Sequence, residues 1–75
     1  MPTYFIIDGV KVEFYFKDHN PPHFHAIFSE YDAMIEIKTQ TILKGNLPAN
    51  KKKKIIQWAK SNETTLMAIW KGLQD

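Results

Sequence analysis

An α+β domain is predicted by three features of this chain: a small antiparallel sheet of four to five strands, followed by two C-terminal helices packed on one face. Apolar and polar residues alternate with period two through the first half, an Asp8-Gly9 pair separates the first two apolar stretches, and after Gly45 the apolar spacing changes to about 3.6. Strands first and helices last is the order of a domain whose helices cover one sheet face.

Residues 3–7 are β-branched or aromatic and read as a strand. Asp8-Gly9 is a two-residue hairpin signal, because both residues tolerate positive φ. Residues 10–16 then alternate, with Val10, Val12, Phe14 and Phe16 on one face and Lys11, Glu13 and Tyr15 on the other. Residues 17–22 read as a loop, since Asn20 stands before the stiff Pro21-Pro22 pair. A strand follows over 23–29, with Phe24, Ala26 and Phe28 opposite His23, His25 and Ile27. A turn at Glu30-Tyr31-Asp32 leads to a strand over 33–38, and 41–43 is a candidate for a short fifth. Pro48 suits the first turn of a helix whose stripe is Ile55, Ile56 and Ala59, with Trp58 beside it. Ser61-Asn62 offers a new N-cap, with Glu63 in the first turn and Leu66, Ile69, Trp70 and Leu73 as the second stripe. Two short helices are expected; one kinked helix fits the same pattern.

A chain of 75 residues is one domain, 1–75, and hides only about 60–65% of the surface its unfolded form exposes. It has no Cys, which excludes a disulfide framework and a thiolate zinc site. The core must be apolar and aromatic, with Phe5, Phe14, Phe16, Phe24, Phe28, Trp58 and Trp70 as its large candidates. The start, Met1 to Ile7, lacks the basic residues and long apolar region of a signal peptide, and no apolar run reaches the ~20 residues of a membrane span. A soluble, cytoplasmic protein is expected. All 10 basic residues are Lys, so the bidentate recognition of phosphates and guanine edges that Arg provides is absent.

The three histidines fall within seven residues, in Asp18-His19-Asn20-Pro21-Pro22-His23-Phe24-His25. His23 and His25 stand two apart on a strand and project from one face, opposite the apolar one. Three chemistries fit. His19, His23 and His25 can hold a divalent metal such as zinc, with Asp18, Glu13 or Glu36 as fourth ligand or outer partner. Alternatively His23 and His25 can act as general acid and base, since imidazole titrates near neutrality. Cleavage of RNA through its own 2′-hydroxyl needs little more than that pair, a cation from Lys11, Lys17 or Lys38, and the Tyr15 hydroxyl. In the third reading the segment is a rigid connector, with Asp18 and Asn20 bonding their own backbone.

Lys51, Lys52, Lys53 and Lys54 point in nearly every direction around a helix, because successive residues turn by about 100°. They read either as a patch for phosphate or an acidic partner or, more simply, as a solvated helix start. Trp58 and Trp70 lie beside apolar stripes and read as core.

The segment Asp18-His19-Asn20-Pro21-Pro22-His23-Phe24-His25-Ala26, taken with the early strand pair, Gly45-Asn46-Leu47-Pro48, Trp58-Ala59 and Leu66 through Trp70, resembles DUF4160, a bacterial family of small proteins of unknown function. The likeness covers essentially the whole chain. It implies a bacterial cytoplasmic protein, one half of a toxin–antitoxin-like pair whose neighbour is a small cognate protein of the DUF2442 type. His19, His23 and His25 match the motif, and the chain departs from its relatives in lacking Arg in the helical region. The expected function is thus a pair component acting as a His-dependent ribonuclease or other phosphodiester hydrolase, or alternatively a non-catalytic protein-binding module or small regulator.

Overall fold

The computed structural model describes residues 3–74. Met1 and Pro2, part of the stretch examined for a targeting signal, and Asp75, the end of the single-domain reading, lie outside the described residues. The chain forms β1 (Thr3–Ile7), β2 (Val10–Glu13), β3 (His23–Phe28), β4 (Tyr31–Glu36) and β5 (Ile42–Gly45), then α1 (Ala49–Ser61) and α2 (Glu63–Gln74). The strands form one antiparallel meander in the order β1-β2-β3-β4-β5. Sheet first and helices last is the predicted α+β order.

Register sorts the two faces. Val12 pairs with Ala26, Ala26 with Ala33, and Phe24 with Ile35, so these residues share one face. They are buried together with Val10, Phe14, Ile37 and Leu47 against Ile55, Ala59, Leu66 and Trp70 of the helices. The opposite face carries Glu13, His25 and Met34 in one row across three strands.

The β1–β2 turn is Asp8-Gly9, both at positive φ (51° and 80°), as the hairpin signal predicts. Several strand limits differ from expectation: β3 ends at Phe28 instead of 29, β4 spans Tyr31–Glu36 instead of 33–38, and β5 spans Ile42–Gly45 instead of 41–43. β2 ends at Glu13 instead of running to Phe16, because the next residues leave the ladder to form a loop that folds over β3. Phe14 stays in the core at 1% exposure, but Phe16 is 62% exposed and is not a core residue. Tyr31 pairs with Phe28, so the turn is Ser29-Glu30 and β4 begins earlier than its polar neighbours suggested. Gly45 ends β5 instead of separating sheet from helix. It sits at φ 83°, and a Cβ there would collide with the Asp32 carbonyl oxygen.

Pro48 stands one position before α1, and its carbonyl accepts the Lys52 N–H at 2.8 Å. The helical run breaks at Asn62, giving two helices. The Asn62 carbonyl accepts the Leu66 N–H, starting α2. Its side-chain amide turns back and donates to the Trp58 carbonyl at 2.8 Å, closing α1 where an N-cap for α2 was expected. Trp58 lies edge-on to Phe5 (5.0 Å) and Phe24 (6.2 Å), and Trp70 is buried; both belong to the packed interior. Among the described residues no helix is long and apolar enough to cross a membrane.

Candidate metal and catalytic site

β3 projects His23 and His25 from the face opposite Phe24 and Ala26, as their spacing requires. That face is not open at this end. Tyr15, Asp18 and His19 of the preceding loop lie against it, and Trp70 of α2 closes the side, its ring 5.0 Å from that of His23. His23 is 1% exposed and His25 9%. The covering loop passes through a cis Asn20-Pro21 bond and Lys17 at φ 54°. It is tied to the end of α2 by the Lys17 N–H, which donates to the Leu73 carbonyl at 3.1 Å.

Asp18 is the hub. One carboxylate oxygen, Oδ2, lies 2.9 Å from His23 Nε2 and 3.3 Å from His25 Nε2. The other, Oδ1, accepts the His19 backbone N–H at 2.9 Å. Burial works to raise the Asp18 carboxyl, but the His19 N–H together with His25 and His23 outweighs it and holds the group below the ordinary carboxylate range. His23 Nδ1 lies 2.7 Å from the Pro21 carbonyl oxygen. A carbonyl only accepts, so Nδ1 carries a proton.

Tyr15 lies flat on the His25 ring, 4.1 Å between centroids and 20° between planes. Its hydroxyl is pushed up by burial first and then by the negative charges of Asp32, Glu13 and Asp18. The second His25 nitrogen, Nδ1, lies 3.9 Å from Asp32 Oδ1. Beside His25 a pocket of ≈ 320 Å³ opens, lined by His25, Asp32, Met34, Lys44 and Gly45. The surroundings of the histidines are thus acidic, with one lysine in the pocket wall.

The predicted site residues divide accordingly. Asp18, His23 and His25 bring one ligand atom each within 4.8 Å of one another, a three-ligand group in which Asp18 stands where His19 was expected. The His19 side chain is 69% exposed, with its ring 5.1 Å from that of His23. Glu13 and Glu36 flank the pair by register, opposite His25 and His23. Lys11, Lys17 and Lys38 are exposed and do not line the pocket. In the lysine run, Lys51 donates to the Asp8 carbonyl (2.8 Å) and carboxylate (3.1 Å) and lies over the Phe28 ring at 4.8 Å, while Lys52, Lys53 and Lys54 are exposed. Asp32, Met34 and Lys44 carried no signal along the chain, since only strand pairing brings them beside His25.

Residues 9–71 match the family model described as a domain of unknown function (DUF4160). No curated protein and no solved structure matches the chain.

Proposed function

This chain belongs to the DUF4160 family, and from that premise we propose that it is a metal-assisted phosphodiester hydrolase acting on RNA, with Asp18, His23 and His25 holding a divalent cation such as zinc. The observation that carries the reading is the contact between His23 Nε2 and Asp18 Oδ2 at 2.9 Å. With the proton committed to Nδ1 by the Pro21 carbonyl, Nε2 of a neutral ring is a bare lone pair. It faces a carboxylate oxygen, a second acceptor. Two acceptors stay this close only with a proton or a cation between them.

A divalent cation would bridge these two atoms and also engage His25 Nε2, which lies 3.3 Å from the same carboxylate oxygen. Ligand atoms about 2.1 Å from a zinc ion, at angles between 90° and the tetrahedral value, stand roughly 3.0–3.4 Å apart. The contact of 3.3 Å at Oδ2 falls in that range and that of 2.9 Å just below it, and all three ligand atoms lie within 4.8 Å of one another. Two imidazoles and one carboxylate leave coordination positions for water, as catalytic zinc sites do. The Pro21 carbonyl is the outer partner that fixes the His23 tautomer. A cation held by Asp18, His23 and His25 would supply Lewis acidity and a more acidic water for attack on phosphorus, and the leaving oxygen would take up a proton as its P–O bond breaks. It also offsets Asp18, Asp32 and Glu13, which otherwise repel a phosphate.

We further propose that the chain is one half of a toxin–antitoxin-like pair in a bacterial cytoplasm. The exposed Ile6 (65%) and Phe16 (62%) support a surface for the small cognate protein, and they also favour the second reading, a non-catalytic binding module. RNA cleavage by the purified chain decides. Cleavage is expected to vanish with EDTA, return with zinc, and fall at least ~100-fold in His25→Ala. Cleavage that survives EDTA but is lost in His25→Ala would assign acid–base chemistry instead. A folded, zinc-loaded chain that cleaves no RNA would leave the binding module.

A further inference from the structure

The open sheet face carries a row of side chains whose last member is put there by a fold irregularity. Glu13 pairs with His25, His25 with Met34, and Met34 with Lys44. Residues two apart on a regular strand share a face, so Lys44 should follow Ile42, which pairs with the core residue Ile35. The register shifts by one between Met34 and Ile35, leaving Leu43 as an extra residue in β5. This bulge turns Lys44 away from the core and onto the His25 face. Bulges at sheet edges commonly re-aim a side chain beside an active site.

Lys44 then stands two strands from His25, about 10 Å between backbones, with Met34 between them. Its flexible four-carbon stem can cover much of that distance. It is the cation in the wall of the ≈ 320 Å³ pocket. Among the described residues it meets no carboxylate within ion-pair distance. The pocket wall holds His25 of the proposed centre, the Asp32 carboxylate, Met34 and the Lys44 ammonium; with a cation at the centre offsetting Asp32, an anion would meet two attractive points, that cation and Lys44, with the apolar Met34 side chain between them. An RNA strand has the complementary order: a phosphate, a nucleoside whose base offers an apolar face, and a second phosphate.

We propose that Lys44 holds the phosphate next to the one being cleaved, and that the pocket takes a single unstacked nucleotide of single-stranded RNA; this rests on the phosphodiester reading above. Single strands can splay a base out of the stack at little cost, whereas a duplex holds it in place. The recessed centre, with His23 at 1% and His25 at 9% exposure, meets the pocket at His25.

The test is the affinity of the full-length, zinc-loaded chain for a labelled oligoribonucleotide, read by fluorescence anisotropy with strand integrity checked on a gel. Lys44→Met, which keeps length and removes charge, should weaken single-strand binding roughly tenfold and lower the salt slope by about 0.7, one phosphate contact. Lys44→Arg should restore most of the affinity. Lys60→Met, an exposed lysine of α1 outside the lysine run, should change nothing. The same strand annealed to its complement should bind at least ~10-fold more weakly. Unchanged affinity in Lys44→Met, equal binding of the duplex, or no RNA binding at all would overturn the assignment. Hydrolysis of bis(p-nitrophenyl) phosphate, which has no second phosphate for Lys44 to hold, judges the hydrolase reading separately. If it is cleaved while RNA goes unbound, only the Lys44 assignment falls. If Lys44-dependent RNA binding comes without phosphodiester cleavage, the RNA contact stands and the hydrolase reading falls.

Discussion

His23 has both ring nitrogens engaged by oxygens while its side chain is fully buried. Whether a proton or a cation bridges Nε2 and Asp18 Oδ2 is readable from stability as well as from metal binding. In Asp18→Asn the amide can donate a hydrogen bond to a bare Nε2, so the contact survives while a ligand is lost. The expected result is stability within about 1 kcal/mol of the parent in urea unfolding, with zinc affinity in calorimetry falling by more than ~100-fold. Asp18→Ala leaves a buried nitrogen without a partner and should cost about 1–3 kcal/mol. An Asp18→Asn chain as unstable as Asp18→Ala would show that His23 carries both protons and that the cation reading is wrong.

At the scale of elements, the β1–β2 hairpin is held twice. Its turn suits Asp-Gly, and Lys51 reaches across from α1 to the Asp8 carbonyl and carboxylate. The hydrogen bond from Lys51 is the main cause that lowers the Asp8 carboxyl; slight burial opposes it, and the charges of Lys51 and Lys54 add to it. A carboxyl lowered on folding contributes stability that is present above its unfolded value, about 3.9, and is lost as pH falls through the lower folded value. NMR titration of Asp8 should therefore give a midpoint below the ordinary Asp value, and Lys51→Met should move it back up. A midpoint that Lys51→Met leaves in place would remove Lys51 as the cause. One lysine of the run is thus a structural pin. The other three stay in solvent near the start of α1, where their charge opposes the helix dipole.

For the molecule as a whole, site and core share one support. Trp70 packs with Leu66 in the core and also against the His23 ring, while the Leu73 carbonyl holds the loop that delivers Asp18. A domain of 75 residues has only about 4–11 kcal/mol of net stability on the usual per-residue range. Trp70→Ala, at a typical cost of about 3–5 kcal/mol, should consume a large part of it and lower the thermal midpoint steeply. Trp70→Phe should keep the fold and weaken zinc binding, because the smaller ring leaves His23 less firmly placed. If Trp70→Ala bound zinc like the parent and melted at the parent temperature, α2 would not be the support of the site.

The period-two alternation, the Asp8-Gly9 turn and the later 3.6 spacing were enough to establish sheet, hairpin and helices, because each is a local pattern with a local cause. The address of the site was equally local, since His23 and His25 two apart on a strand must share a face. Strand limits were less legible: Phe16 continues the alternation of β2, yet it leaves the ladder with the loop that brings Asp18 over β3. Which residue joins His23 and His25, Asp18 with His19 left outward, depends on how that loop folds back, and no spacing along the chain encodes it. Lys44 is the clearest case. Its side follows from one extra residue in β5, and a single bulge reverses which face every following side chain takes. Sequence alone therefore determined the elements and the histidine address, through interactions between near neighbours; only the tertiary structure decided the company those histidines keep, because register and loop closure are set by contacts between residues far apart in the chain.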